Sequence, residues 1–189
     1  LTNDPVIDEK VRCLRTHGMT NALDKLENND GPWYYEMHEV GFNYRITDFQ
    51  CALGSSQVKK LDYFVEKRRE IAKKYDEAFS CINNFTIPQT NSSIDHAYHI
   101  YSLQIDFNEM DLTKVKLFEK MKQSGIKLQV HYIPVHMQPF YQKNYGFNTG
   151  DFSVSENFYR NEVSLPIYPD LSTDDISSVV NNILEIIST

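Results

Sequence analysis

The chain has 189 residues, with 19 Lys and Arg against 26 Asp and Glu, and carries a formal charge of -7. A hydrophobic fraction of 41% with 13% aromatics supports a sizeable core and excludes disorder as the general state, while the acidic balance argues against a nucleic-acid grip. There is no apolar run of about 18 residues, so no transmembrane helix is expected.

The chain opens Leu1-Thr2-Asn3-Asp4 without Met, and this end reads as a possible cut. Asp4 followed by Pro5 reads as a helix start, a carboxylate cap and then proline at the first helical position. Ile7, Val11 and Leu14 recur at helical spacing, and Gly18 is the stop. Residues 19–40 lack a period. Asn21, Asn28, Asn29, Asp30, Gly31 and Pro32 mark a long loop carrying Trp33, Tyr34 and Tyr35, and such loops are often functional. Thr47-x-x-Gln50 is a capping box that opens a second helix, with Ile46 placed as its hydrophobic staple. Ala52, Leu53 and Ser56 give that helix a small-residue face. From Asp62 to Phe79, Ile71, Tyr75 and Phe79 fall at four-residue steps. The interleaved Lys67, Arg68, Arg69, Lys73 and Lys74 form either a basic patch or a solvated face of i,i+4 pairs.

Beyond Asn83-Asn84 the texture changes. Ala97 to Asp106 alternates and reads as a strand. Val115, Phe118 and Met121 mark a helix that stops at Gly125. Ile126, Leu128 and Val130 alternate with Lys127, Gln129 and His131, the pattern of a half-buried strand. Ser153-x-x-Glu156 is a further capping box, Val163 to Ile167 a strand, and Ser172 caps a helix whose apolar face is Ile176, Val179, Val180, Ile183 and Ile187. Alternating strands and helices from about Ser80 onward imply an α/β or α+β layer.

The densest polar cluster outside a charged helix is Gln129-Val130-His131-Tyr132-Ile133-Pro134-Val135-His136. On a strand, Gln129 and His131 share a face, and Pro134 bends the chain beyond them. This is either a ligand-contact rim or a strand end whose His and Tyr tips reach water. Gly41-Phe42-Asn43-Tyr44-Arg45-Ile46-Thr47 precedes a helix N-terminus, where backbone N–H groups favour an anion. Asn43 and Arg45 reach such a phosphate, or else Asn43 makes a local turn and Arg45 pairs with Asp48. His96 and His99 fall on opposite faces of a strand, which disfavours a metal site. The chain has no nucleophile elbow, no dinucleotide or Walker glycine loop, and no Cys in a convincing His context. Cys13, Cys51 and Cys81, odd in number and widely spaced, fit a reducing compartment, with the cytoplasm as default.

These motifs carry a resemblance. G-F-N-Y-R-I-T-D-F-Q-C-A-L-G-S-S-Q-V-K-K-L-D (Gly41–Asp62), K-R-R-E-I-A-K-K-Y (Lys67–Tyr75), H-A-Y-H-I-Y (His96–Tyr101), Q-V-H-Y-I-P-V-H (Gln129–His136), S-L-P-I-Y-P (Ser164–Pro169) and L-R-T-H-G-M (Leu14–Met19) resemble the DegT/DnrJ/EryC1/StrS family. Its members are sugar aminotransferases that depend on pyridoxal 5'-phosphate (PLP). Within it, P-W-Y-Y-E-M (Pro32–Met37) and Q-V-H-Y resemble the pseudaminic-acid branch, the UDP-4-amino-4,6-dideoxy-N-acetyl-β-L-altrosamine transaminases.

The resemblance implies the C-terminal part of a fold-type I, aspartate aminotransferase-like α/β protein, mainly its small α+β domain. Residues 1–60 would be the tail of the large PLP-binding domain with a dimer-contact loop, 61–80 a connecting helix, and 81–189 the small C-terminal domain. It implies amino transfer from glutamate to C4 of a 4-keto-6-deoxy UDP-N-acetyl sugar by a homodimer. Asn43 would contribute to the cofactor and substrate site of the neighbouring subunit, with Arg45 beside the cofactor. Gln129, Val130, His131 and Tyr132 would contact substrate. It also implies a Schiff-base lysine upstream of Leu1, since Lys59, Lys60, Lys73 and Lys74 read as exposed helix positions. The chain by itself is then expected to be inactive, because that amine holds the cofactor and shuttles the proton. A non-catalytic nucleotide-sugar-binding or regulatory module and a structural dimerisation domain are the competing readings.

Overall fold

The computed structural model describes residues 2–91 and 93–188, and the chain divides into two compact units, Leu1–Lys59 and Lys60–Thr189. In the first, Asp4 Oδ1 accepts from the amides of Val6 (2.8 Å) and Ile7 (3.3 Å). Those orphan donors of the first turn are thereby satisfied, and α1 runs Pro5–Leu14. The segment 19–40, expected as a loop, contains two short antiparallel strands, β1 (Met19–Thr20) and β2 (Glu36–Met37). The organiser is Glu36. Its carboxylate accepts from the amides of Glu27 (2.7 Å) and Asn28 (2.8 Å) and from the Tyr34 hydroxyl (3.1 Å). These bonds, the Glu27 amide first, hold its pKa below the usual carboxylate value.

Residues 41–44 then zip against the end of α1: Phe42 N–H donates to Leu14 O (2.6 Å), His17 N–H to Phe42 O (2.9 Å) and Tyr44 N–H to Arg15 O (2.9 Å). The approach is so close that a Cβ at residue 41 would sit 2.5 Å from Leu14 O and 2.6 Å from His17 C, which is why Gly41 is a glycine. Helix α2 (Asp48–Val58) opens with the expected reciprocal box between Thr47 and Gln50. Its Ala52/Leu53/Ser56 face is exposed, and no residue of α2 is buried.

The second unit carries the core. Helix α3 (Leu61–Phe79) buries Ile71, Ala72, Tyr75 and Phe79. Its basic residues form no patch. Arg68 Nη1 donates to the carbonyls of Ile167 (2.7 Å), His99 (3.2 Å) and Tyr98 (3.3 Å), and Arg69 to that of His96 (3.0 Å). Lys67 pairs with Glu70 and Lys73 with Glu77. A three-stranded antiparallel sheet follows in the order β3 (Phe85–Thr86), β4 (Tyr101–Ile105), β5 (Glu162–Leu165). Tyr101 lies opposite Leu165 and Leu103 opposite Val163. The strand expected over Ala97–Asp106 is therefore shorter. Tyr98 takes a positive φ of 44°, which extended backbone does not allow.

Helix α4 (Lys114–Gln123) turns Leu117 and Met121 inward, whereas Val115 is exposed. Residues 126–131 form no strand among the described residues and carry one isolated bridge, Gln129 with Ser164. Leu128 is buried there and Lys127 and Gln129 exposed, so the alternation survives without a full ladder. After α5 (Pro139–Tyr145), helix α6 (Ser153–Asn161) has Phe152 as its N-cap and no side-chain cap. Glu156 instead reaches back from inside the helix to the amides of Gly150 (2.7 Å) and Phe152 (3.4 Å). Helix α7 (Thr173–Ile187), capped by the Ser172–Asp175 box, packs Ile176, Val179, Ile183 and Ile186 into the core.

Candidate functional site

The candidate residues fall into two groups, one in each unit. In the first, Asn43 and Arg45 are exposed and joined directly: Arg45 Nε (3.0 Å) and Nη2 (2.9 Å) both donate to Asn43 Oδ1. The guanidinium fork therefore orients the carboxamide, leaving Nδ2 as a donor. Arg45 does not pair with Asp48. The box at the start of α2 occupies the amides of Thr47 and Gln50, and Asp48 places an acid in the first turn. A depression of about 980 Å³ lies between α1 and the β1–β2 region and is lined by Val6, Lys10, Met19, Thr20 and His38. It does not include Asn43 or Arg45.

In the second unit, Gln129 is fixed by its main chain, which exchanges two hydrogen bonds with Ser164 (3.2 and 2.8 Å), and its side chain is exposed. Val130 and His131 are half-buried, and Tyr132 is 71% exposed. The His131–Tyr132 peptide bond is cis, and the two rings meet edge to face at 4.6 Å. Beneath them lies a buried polar cluster that the sequence reading missed. Glu162, with no exposed surface, accepts from the His131 amide (2.9 Å), from the Ser102 hydroxyl (3.1 Å) and from the Ser164 hydroxyl. His131 Nδ1 lies 2.7 Å from Ser164 Oγ. The available signal was the alternation Glu162-Val163-Ser164-Leu165, in which a carboxylate and a hydroxyl share one face of an otherwise apolar strand.

A second missed pair is His136 and Glu156, both buried, with His136 Nε2 2.9 Å from Glu156 Oε1. The His136 bond, followed by the Gly150 amide, holds the Glu156 pKa below the usual carboxylate value.

The family model for DegT/DnrJ/EryC1/StrS aminotransferases matches residues 1–184. The chain belongs to this family. Among relatives, the spore coat polysaccharide biosynthesis protein SpsC of Bacillus subtilis is 36% identical over 98% of the chain and 48% of its own length. The UDP-4-amino-4,6-dideoxy-N-acetyl-β-L-altrosamine transaminase of Campylobacter jejuni serotype O:2 is 35% identical over 98% of the chain and 46% of its own length. The solved structure of Helicobacter pylori PseC, an aminotransferase of pseudaminic acid biosynthesis, superposes with a TM-score of 0.85 at 29% identity, covering 99% of the chain and 47% of PseC. The chain thus spans about half the length of the curated relatives it matches, and its fold is part of the α/β aminotransferase fold.

Aminotransferases of the DegT/DnrJ/EryC1/StrS family are PLP-dependent. Several of the described lysines are engaged in contacts of their own. Lys114 is half-buried, and burial lowers its pKa against the opposing charge of Glu162. Its Nζ donates to the Tyr159 carbonyl (2.7 Å). Lys10, Lys25, Lys67 and Lys73 are ion-paired with Glu39, Glu9, Glu70 and Glu77. Lys59 and Lys60 are exposed.

Proposed function

We propose that this chain forms the substrate-facing part of a PLP-dependent nucleotide-sugar aminotransferase. The reaction is transfer of an amino group from glutamate to C4 of a 4-keto-6-deoxy UDP-N-acetyl sugar, in the biosynthesis of pseudaminic acid or a related glycan. The observation that carries this reading is the match to the Campylobacter transaminase over 98% of the chain, with the rim Gln129–Tyr132 inside the matched region. PLP, when bound, supplies the electron sink for amino exchange.

This chain's residues bind and orient. The Gln129 carboxamide, the His131 ring and the Tyr132 hydroxyl offer donors and acceptors to a sugar nucleotide. The oriented Asn43 amide, with Arg45 behind it, serves the neighbouring subunit of a homodimer. In this reading residues 1–60 are the tail of the cofactor-binding domain, 61–80 the connecting helix and 81–189 the small domain, and the protein works in the cytoplasm. Among the described residues no helix is long and apolar enough to cross a membrane. The Schiff-base lysine is not one of the lysines present here, so the chain alone is inactive. The placement of those lysines also favours a second reading, a nucleotide-sugar-binding module without catalysis.

The test uses the full-length protein with glutamate and the 4-keto UDP-sugar. Amination of the sugar is expected, and His131→Ala is expected to raise KM about tenfold, the loss of one or two hydrogen bonds. Mixing inactive Asn43→Ala subunits with subunits lacking the Schiff-base lysine should restore part of the activity. Binding of the sugar without turnover would instead favour the non-catalytic module, and absence of recovery on mixing would remove the role of Asn43 across the dimer.

A further inference from the structure

We propose that Glu162 and Ser164 are positioning residues that fix His131 with its ring hydrogen on Nδ1, so that Nε2 meets the nucleotide sugar as a hydrogen-bond acceptor. The proposal rests on the function proposed above only for the identity of the donor that Nε2 receives.

The assignment comes from counting hydrogens. An ionised carboxylate is acceptor-only, and a serine hydroxyl has one proton to give. Three donors converge on Glu162: the Ser102 and Ser164 hydroxyls at Oε1 and the His131 amide at Oε2. A carboxylate oxygen can only accept, so the Ser164 hydroxyl proton lies toward Glu162. Toward His131 it then offers only a lone pair, and Nδ1, 2.7 Å away, must carry the hydrogen. A neutral imidazole with Nδ1–H has its acceptor at Nε2. Nε2 has no hydrogen-bond partner among the described residues.

Geometry and cost both argue that this is more than core filling. His131 is restrained at three points: its main-chain amide on Glu162, its ring Nδ1 on Ser164, and the Tyr132 ring edge to face at 4.6 Å. Ser164 is itself held, because its main chain is paired with Gln129. Placing a carboxylate on a strand in which every residue is buried carries a desolvation penalty that an apolar residue at this position would avoid. The rim residues are what the carboxylate organises in return. A UDP-N-acetyl sugar presents hydroxyl and amide N–H donors to an acceptor at Nε2, and a ring with the opposite tautomer would face them donor to donor.

The test is histidine ring ¹⁵N spectroscopy on the full-length protein at pH 7.5, with His131 assigned from the His131→Gln spectrum. Nδ1–H is expected in the unsubstituted protein. Ser164→Ala removes the acceptor, and the ring should revert to the Nε2–H form preferred by an unconstrained histidine side chain. Glu162→Gln should invert the tautomer by a different route: with its oxygen kept toward the His131 amide, its NH₂ faces Ser164, which turns the hydroxyl proton toward Nδ1. Affinity for UDP-N-acetylglucosamine, by calorimetry, should fall about tenfold in Ser164→Ala, equivalent to one hydrogen bond.

An Nε2–H ring in the unsubstituted protein overturns the proposal without any variant. So does a tautomer unchanged in Ser164→Ala of unaltered melting temperature. If the protein binds no UDP-sugar yet shows Nδ1–H that switches in Ser164→Ala, the proposed function fails and the positioning by Ser164 stands. Normal sugar binding with Nε2–H gives the reverse.

Discussion

Two buried carboxylates, Glu156 and Glu162, do work that their local sequence does not announce. Gln129, His131 and Tyr132 stand out in the chain because polar residues cluster before a proline. Glu162 is 31 residues away from His131 and acquires meaning only through the register of β5. Glu156 was legible as a capping residue but with the wrong partner, since its oxygen serves Gly150, Phe152 and His136. Its pKa is depressed, first by the His136 bond. Its contribution to stability is therefore full above the unfolded carboxylate value of about 4.3 and is lost as pH falls through the lower folded value. Asp76 acts in the opposite sense, because burial raises its pKa against the Tyr101 hydrogen bond. The two are separated by Glu156→Gln. The melting-temperature deficit of this variant should be largest near pH 6 and should shrink toward pH 3; a deficit independent of pH would count against the His136–Glu156 assignment.

Among the elements, the helices were the most legible, because capping boxes and 3.6-residue spacing are local signals. The starts of α1, α2 and α7 match Asp4, Thr47 and Ser172. The short strands were not. β1 and β2 have two residues each, joined by non-local pairing of Met19 with Met37 and Thr20 with Glu36, while the Glu36 carboxylate ties down the loop between them. The stretch 126–131 alternates as a strand but, among the described residues, forms a β-bridge only at Gln129, and periodicity says nothing about whether a neighbour exists. Gly41 shows the same limit, since its reason lies in the backbone of residues 14–18. Gly41→Ala should force that junction apart at a cost of about 1–3 kcal/mol, the range for overpacking. Hydrogen exchange at the Phe42 and Tyr44 amides should report it as lost protection, with the second unit unaffected. Unchanged exchange at both amides would show that the junction gives way without strain.

At the scale of the whole molecule, the two units differ in what holds them. Every residue of the hydrophobic core belongs to Lys60–Thr189, whereas Gly18 is the only buried residue among those described in Leu1–Lys59. Composition pointed to a core of adequate size but not to its confinement in one unit. Lys60–Thr189 expressed alone should unfold in a single cooperative transition, and Leu103→Ala should lower its stability by about 2–5 kcal/mol, as expected for a fully buried leucine. Leu1–Lys59 alone should show no cooperative transition by calorimetry. A sharp transition in that piece would mean that its surface bonds suffice without a core.

Strand β5 is written in two interleaved alphabets. Its odd-numbered letters, Val163 and Leu165, are apolar core residues, and its even-numbered ones, Glu162 and Ser164, bond toward His131. Because the side-chain period of a strand is two, a single-codon insertion or deletion inside these four positions would exchange the alphabets. The core and the hydrogen bonds to His131 would be lost in one step, and no substitution at one position would restore both. Length variation among natural variants of this protein should therefore gather in the exposed connections and spare Glu162–Leu165.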